Sequence, residues 1–384
     1  MAIRFFKRRN DPSAPVLLPA ARPQQAQLPL KTPPDPRCEW PLYDALRYAV
    51  PVVDAALRKI VRLSGGFRLT ADDPDAQAIL DRFADTVPVN GAGVSLQLFA
   101  DQMLDSLLTY GNAVGEMLPD ENGAPAALLT AHPGVLRIMP EPDGTCRLYR
   151  RCKHGGEQLL TAPGRILFAA LDPPAGEVCG VSVLRGLPAV AAILLRIYDC
   201  IGKNYQRAGN VRYAVTYQPD STSAAFAKDH AKEIAEAWQS GIRAAEYGEV
   251  QDFVAVGNVG IKVIGAENQL FDTNVPVRQL LEQIVSKLSI PPFLLGFSWA
   301  TTERMSTQQA DILTSELEYF RRVLTPLLKK IGAAVLRGAG FDCVPEVVWD
   351  NINLQDEKEL AEARLRNAQA AAVEQGIADT AALE

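Results

Sequence analysis

The sequence predicts an α+β protein: long helices, a strand-rich block and a small mixed insertion. Three observations lead there. Apolar residues recur at three- and four-residue steps in several separate stretches, turn signals crowd the segment between about 111 and 171, and two of the helical stretches flank a short mixed segment. At 48% hydrophobic, 22% charged and 7% aromatic, the 384 residues have the make-up of a folded chain two to three domains long. Wholesale disorder, collagen-like sequence and coiled coil are excluded on that basis. The formal net charge is −6, which argues against gripping nucleic acid through the whole surface.

The elements follow in order. Residues 1–41 hold nine of the 27 prolines, with seven Lys/Arg against three Asp/Glu, and read as a flexible, mildly basic arm. Leu46, Val50, Val53, Leu57 and Ile60 form a helical face, with Pro51 starting or kinking a turn. Asp72, Asp73 and Asp75 read as solvated caps rather than an acid–base pair. A second helix is expected from Ser95, its N-cap, through Phe99, Leu104 and Leu107 to Gly111. Short strands are expected at Ala113–Leu118, Val135–Met139, Cys146–Arg151 and Arg165–Leu171, separated by Asp/Asn-Gly and Gly-Gly turns. A long helix is expected from about Ser182 to Ala208-Gly209-Asn210. The insertion that follows holds a strand (Val211–Tyr217), a helix (Ala224–Trp238) and two strands (Val250–Val256, Gly260–Ile264) joined by Gly257-Asn258. A further helix from about Val275, with Val277, Leu280, Leu281, Ile284 and Leu288 on one face, stops at Ile290-Pro291-Pro292. After a polar stretch the longest helix carries the stripe Leu313, Leu317, Phe320, Leu324, Leu327, Ile331 and Val335, with Pro326 inside it as an expected kink. The acidic, alanine-rich end from Asp350 reads as a weakly tethered helix.

Catalytic chemistry finds little to work with. The six cysteines lack metal-site spacing and are expected to be buried free thiols; there are three histidines. No phosphate-binding P-loop, nucleophile elbow, zinc-protease helix or EF-hand loop occurs. No cofactor is expected, and no apolar run approaches the roughly 20 residues of a membrane-spanning helix. The chain reads as a structural protein rather than an enzyme.

A succession of motifs then gives a resemblance. Gly111-Asn112-Ala113 opening a strand, the helix corner Tyr205-Gln206-Arg207-Ala208-Gly209-Asn210, Arg278-Gln279-Leu280-Leu281-Glu282, Ile290-Pro291-Pro292-Phe293-Leu294-Leu295-Gly296, the polar run Thr302 to Gln309, and Leu324-Thr325-Pro326 stand in the order found in portal proteins of tailed double-stranded DNA bacteriophages. The sequence resembles that family over most of 42–340. The corner departs from the family's usual Phe/Asn-Gly-rich form. The resemblance implies a wing at 42–181, a stem helix at 182–209, a clip at 210–268, a second stem helix and proline stop at 269–296, a tunnel loop at 297–306, a long kinked helix at 307–340 and a short crown and tail at 341–384.

The same resemblance implies a homo-oligomeric ring, twelve-fold in the usual case, at one vertex of a virion assembled in a bacterial cytoplasm. It implies non-specific contact with double-stranded DNA during packaging and ejection. Other implied partners are the terminase large subunit, a head–tail adaptor, and capsid and scaffold proteins. Trp299, Thr301, Thr302, Glu303 and Arg304 would be the tunnel-loop residues facing DNA, although Trp299 could equally pack into a neighbouring subunit. Lys203, Arg207, Arg278, Glu282 and Lys287 are stem candidates for the channel, with i,i+4 pairing or inter-subunit bridges as the alternative. Phe253, Val254, Val256, Ile261 and Val263 would extend a clip sheet across subunits. Another virion connector or tail protein, or an enzyme with an unrecognised site, are the competing readings.

Overall fold

A computed structural model describes residues 39–352, apart from 122, 142–145, 153–154, 210–211, 219–228, 230–231, 238, 240–257, 265–271 and 298–302. Two compact units emerge. One is formed by the chain up to Ala191 together with that from Leu281; the other is Ala192–Leu280.

In the first unit, α1 (Trp40–Ala49) and α2 (Pro51–Leu63) are separated at Val50, whose extended conformation is what a following proline imposes. Pro51 then supplies the first residue of α2, where its missing N–H is not needed. Leu46, Val50, Val53, Leu57 and Ile60 are all buried, so the apolar face read from the sequence is divided between two helices. β1 (Phe67–Thr70) follows. Next comes α3 (Pro74–Thr86), capped by Asp73, whose Oδ1 accepts from the Asp75 and Ala76 amides at 2.8 and 3.2 Å. After the short strands β2 (Pro88–Val89) and β3 (Gly93–Val94) comes α4 (Leu96–Tyr110). Ser95 Oγ caps it by accepting from Leu98 N at 3.1 Å, and Gly111, at φ +76°, ends it.

The strand-rich block contains β4 (Asn112–Pro119), β5 (Pro125–Ala131), β6 (Leu136–Pro140), β7 (Cys146–Arg151), β8 (Glu157–Leu159) and β9 (Ile166–Ala170). One five-stranded sheet has the order β3-β2-β5-β4-β9, antiparallel except where Val89 of β2 meets Leu128 of β5. A separate three-stranded sheet has the order β6-β7-β8. The chain then enters α5 (Leu187–Gly209).

In the second unit, β10 (Arg212–Gln218) and β11 (Asn258–Ile264) pair antiparallel in unbroken register from Arg212↔Ile264 to Gln218↔Asn258. The chain leaves that unit by α6 (Asn274–Lys287), and α7 (Glu303–Gly338) follows in the first unit. All seven members of the predicted α7 stripe are buried. At about 1.5 Å per residue its 36 residues make it the longest element. It runs unbroken through Pro326, which can donate no hydrogen bond to the Arg322 carbonyl. β12 (Glu346–Trp349) turns back and pairs antiparallel with β1, Phe67 opposite Trp349.

Several expectations are corrected. The helix placed from Ser182 begins at Leu187, because Ser182 is held in a buried turn described below. The longest helix begins at Glu303 rather than 307, so Glu303 and Arg304 sit in its first turn and not in a loop. An acidic first residue suits the positive end of a helix, and no Gly or Pro intervenes before the stripe. Asn258, read as a turn, lies in β11. α3, β1, β2, β3, β5, β8 and β12 were not read from the sequence at all. Residues 346–349 form a strand that pairs with β1. The thiols expected inside are outside: Cys146, Cys152, Cys200 and Cys343 are exposed and Cys179 half-buried. Cys146 opens β7, in a sheet of whose described residues only Leu136 is buried, and Cys152 lies just past that strand's end.

Candidate functional site

The approach to α5 is fixed by buried polar contacts. Gly111 and Asn112 leave the end of α4 and open β4. The Asn112 side chain, 2% exposed, accepts from Gly180 N at 2.9 Å and donates to Tyr110 O at 3.3 Å. Leu171 N donates to Gly111 O at 2.8 Å, and Val181 N to Leu171 O at 2.7 Å. Ser182 Oγ lies 2.7 Å from Thr109 O and 3.1 Å from Leu108 O, and accepts from Leu184 N at 2.9 Å. Three backbones meet here without side chains between them. A Cβ on Gly180 would stand 2.2 Å from Gly111 O and 2.3 Å from Leu171 O. Pro188, in the first turn of α5, then starts the helix where no donor is lost.

The second stem candidate ends in a similarly fixed turn. α6 closes at Ser289, a non-glycine residue at φ +52°, and Pro291 and Pro292 prevent continuation. A 3-10 turn (Pro292–Leu295) follows and ends at Gly296, φ +81°. Lys59 of α2 donates to Leu294 O at 2.9 Å, tying the turn to the first unit's core. Beside it Glu282, Val285, Ser286, Ser289, Ile290 and Gln309 are among the residues lining a groove of about 270 Å³. The Gln309 Oε1 atom is buried without a hydrogen-bond partner.

One turn before Pro326, Arg321 is 7% exposed. Its Nε donates to Ser64 O, at the end of α2, at 2.8 Å, and its guanidinium lies 5.1 Å from the Trp349 ring centroid. Desolvation lowers its pKa, opposed by the charges of Asp350 and Glu318. Trp349 Nε1 donates to Thr325 Oγ1, 3.1 Å, and that hydroxyl bonds Arg321 O, 2.7 Å. Farther along α7, Lys330 Nζ donates to Ile166 O of β9 at 2.7 Å. The long helix is thus bolted to α2, β12 and β9 around its proline.

The predicted residues distribute as follows. Lys203 lies exposed on α5 and pairs with Asp199 at 2.6 Å, an i,i+4 bridge. Arg278 and Lys287 are exposed on α6, while Glu282 is half-buried at the groove. Arg207 lies in the last turn of α5, and Glu303 and Arg304 in the first turn of α7. Ile261 and Val263 lie on β11, opposite Val215 and Tyr213. Trp299, Thr301, Thr302, Phe253, Val254 and Val256 fall outside the described residues, as do the arm 1–38 and the tail from 353. Pro326 sits inside α7. The sequence reading missed Asn112, Ser182 and Arg321 as positioning residues. Arg321 carries a legible signal: an arginine four residues after Leu317 and three before Leu324, on the apolar face. Among the described residues there is no cluster of His, Cys, Asp or Glu able to hold a metal, and no helix long and apolar enough to cross a membrane.

These features, a two-helix excursion carrying a small sheet and a long proline-containing helix packed on an α+β block, make up a mixed α+β fold. A chain in the neck of a native gene transfer agent (GTA) particle, computed with C12 symmetry, superposes with TM-score 0.60 at 15% identity, covering 89% of this chain and 91% of that one. A chain in the neck of an empty GTA particle, computed with C6 symmetry, gives 0.62 at 14% identity, covering 86% and 90%. An HK97-family phage portal protein from Corynebacterium diphtheriae gives 0.42 at 14% identity, covering 80% and 94%. No protein-family model and no curated protein matches the chain. At these identities the likeness is one of fold.

Proposed function

We propose that the protein is a portal-type structural subunit that assembles into a ring at one vertex of a virion or virion-like particle and conducts double-stranded DNA. The single observation that carries this reading is the superposition, over nine-tenths of both chains, on a subunit of a GTA neck computed with C12 symmetry. In this reading α5 and α6 are the stem, 210–268 the clip and 297–302 the segment facing the channel. Twelve copies form the ring. The clip meets a terminase large subunit during packaging and a head–tail adaptor afterwards, while the wing meets capsid and scaffold proteins.

The physical chemistry of the chain suits a conduit. Duplex DNA carries about one negative charge per 1.7 Å, so a strongly cationic lumen would hold it by many phosphate contacts. Here each subunit adds −6, and the stem cations alternate with acids: Lys203 with Asp199, Arg278 and Lys287 with Glu282. Such a surface touches a sliding polyanion without gripping it. The turn locked by Pro291, Pro292 and Lys59 would hold the base of the channel loop rigid.

The test has two stages. Electron microscopy and mass photometry of the purified chain are expected to give rings of about twelve subunits with a central hole. A chain that stays monomeric in assembly-permissive buffer at every salt concentration overturns the reading, and a ring with no hole favours another connector or tail component. In particles, Trp299→Ala, within that segment, or Arg304→Ala, in the helical turn that follows it, is expected to lower DNA packaging or retention while rings still form. Normal packaging by both variants removes the channel-loop assignment.

A further inference from the structure

The three-stranded sheet β6-β7-β8 lacks a core of its own. Of its described residues only Leu136 is buried. Small sheets persist in water when one face is covered by something apolar or by a helix. Register and alternation place Arg147, Tyr149 and Arg151 of β7 on one face, with Arg137 and Met139 of β6 and Leu159 of β8 beside them. Met139 is 38% exposed and Leu159 50%. The face is cationic. Glu157 neutralises only part of it, accepting from Arg137 at 2.7 Å and lying 3.8 Å from Arg151, while Arg147 reaches Glu141 at 3.1 Å.

The first unit also displays the opposite charge. Along α3 and its cap, Asp72, Asp73, Asp75, Asp81 and Asp85 are all exposed, with Arg82 the one cation among residues 72–86. Asp75, Asp81 and Asp85 recur at helical spacing on the outward side, around Ala78. A protomer that carries a basic, partly apolar face and a separate acidic one is built for head-to-tail contact with copies of itself. Such heterologous contacts between two different surfaces are what close rings.

We infer that the β6-β7-β8 sheet docks on α3 of the adjacent copy. The inference rests on the ring reading above. Three strands of about five residues present a face of roughly 250 Å², well below the roughly 800 Å² per partner of a stable interface. The contact therefore sets neighbour orientation and assembly rate within a larger ring interface, as complementary charge does elsewhere.

The full-length chain tests this by charge exchange. The variants Asp75→Lys/Asp81→Lys/Asp85→Lys and Arg137→Glu/Arg147→Glu/Arg151→Glu are each expected to raise the concentration for half-assembly at least tenfold, read by mass photometry. Combining all six changes in one chain restores the salt bridges in reverse and is expected to return assembly to within about threefold of the parent. A one-to-one mixture of the two triple variants is expected to co-assemble. Misfolding cannot produce either rescue. Parent-like rings from both triple variants overturn the docking while leaving the ring reading intact. Failure of both rescues after two assembly-defective variants also overturns it, and indicates another occupant of the sheet. A parent chain that forms no ring overturns both readings together.

Discussion

Gly180→Ala perturbs the most tightly determined point on the path into α5. An ideal Cβ there falls 2.2 Å from Gly111 O, 2.3 Å from Leu171 O and 2.4 Å from Leu171 N, all main-chain atoms that no rotamer change can move. The methyl group must push apart the chain segments joined by Leu171 N→Gly111 O and Val181 N→Leu171 O. Losing two buried backbone hydrogen bonds costs about 2 kcal/mol, and overpacking a rigid site adds about 1–3 kcal/mol, so the expected loss is about 3–5 kcal/mol. For a unit of this size that corresponds to a melting temperature roughly 6–15 °C lower by calorimetry. Gly202→Ala is the control. It lies exposed in α5 with nothing within 4 Å of the new Cβ, and is expected to gain about 1 kcal/mol of helix propensity. Amide exchange at Leu171 and Val181 should accelerate in Gly180→Ala alone. A melting temperature within about 2 °C of the parent, with both amides still protected, would refute the close-approach argument.

Two further perturbations follow from the polar network. Arg321→Ala leaves Ser64 O without its donor and removes the stacking on Trp349, an expected loss of about 2–3 kcal/mol in urea titration. Arg321→Met should lose less, since it keeps the packing and removes a buried Nη2 that has no partner; a larger loss for Met than for Ala would contradict this. Burial works against ionisation of Asp54, but hydrogen bonds from Arg47 at 2.8 Å and Arg58 at 2.7 Å, with their charges, outweigh it, so its pKa lies below the usual carboxylate value. A carboxylate depressed in the folded state contributes stability that is complete above an unfolded pKa of about 3.9 and is lost as pH falls through the folded value. The stability gap between the parent and Asp54→Asn should therefore shrink below about pH 4. A gap constant from pH 2 to 5 would show that ionisation of Asp54 contributes nothing.

The helices were legible wherever a long apolar period and a chemically distinct end coincided. Ser95 and Gly111 bound α4 as their side-chain chemistry requires, and the α7 stripe is buried along its length. α3 was missed because only Ala76 and Leu80 of it are fully buried, too few to stand out beside the three aspartates of the helix and the two just before it. β12 escaped for another reason. Four residues carry no period of their own, and Glu346–Trp349 becomes a strand only because β1, some 280 positions earlier, supplies the ladder. α5 starts five residues after Ser182, because the Ser182 hydroxyl accepts from Leu184 N in a turn that ends before the helix begins.

By itself the sequence determined the alternation of helix and strand, the proline stop after α6 and the order of motifs that resembles a portal subunit. Those depend on local backbone preference and on periodicity, which neighbours in the chain enforce on each other. Only the tertiary structure decided which residues hold the elements together. Asn112 meets Gly180, Arg321 meets Ser64 and Trp349, and Lys59 meets Leu294, each across tens to hundreds of positions. A buried polar group must find a partner somewhere, yet the requirement leaves no periodic trace saying where. That is also why the β6-β7-β8 sheet and the acidic side of α3 become informative only once their exposure among the described residues is seen in three dimensions.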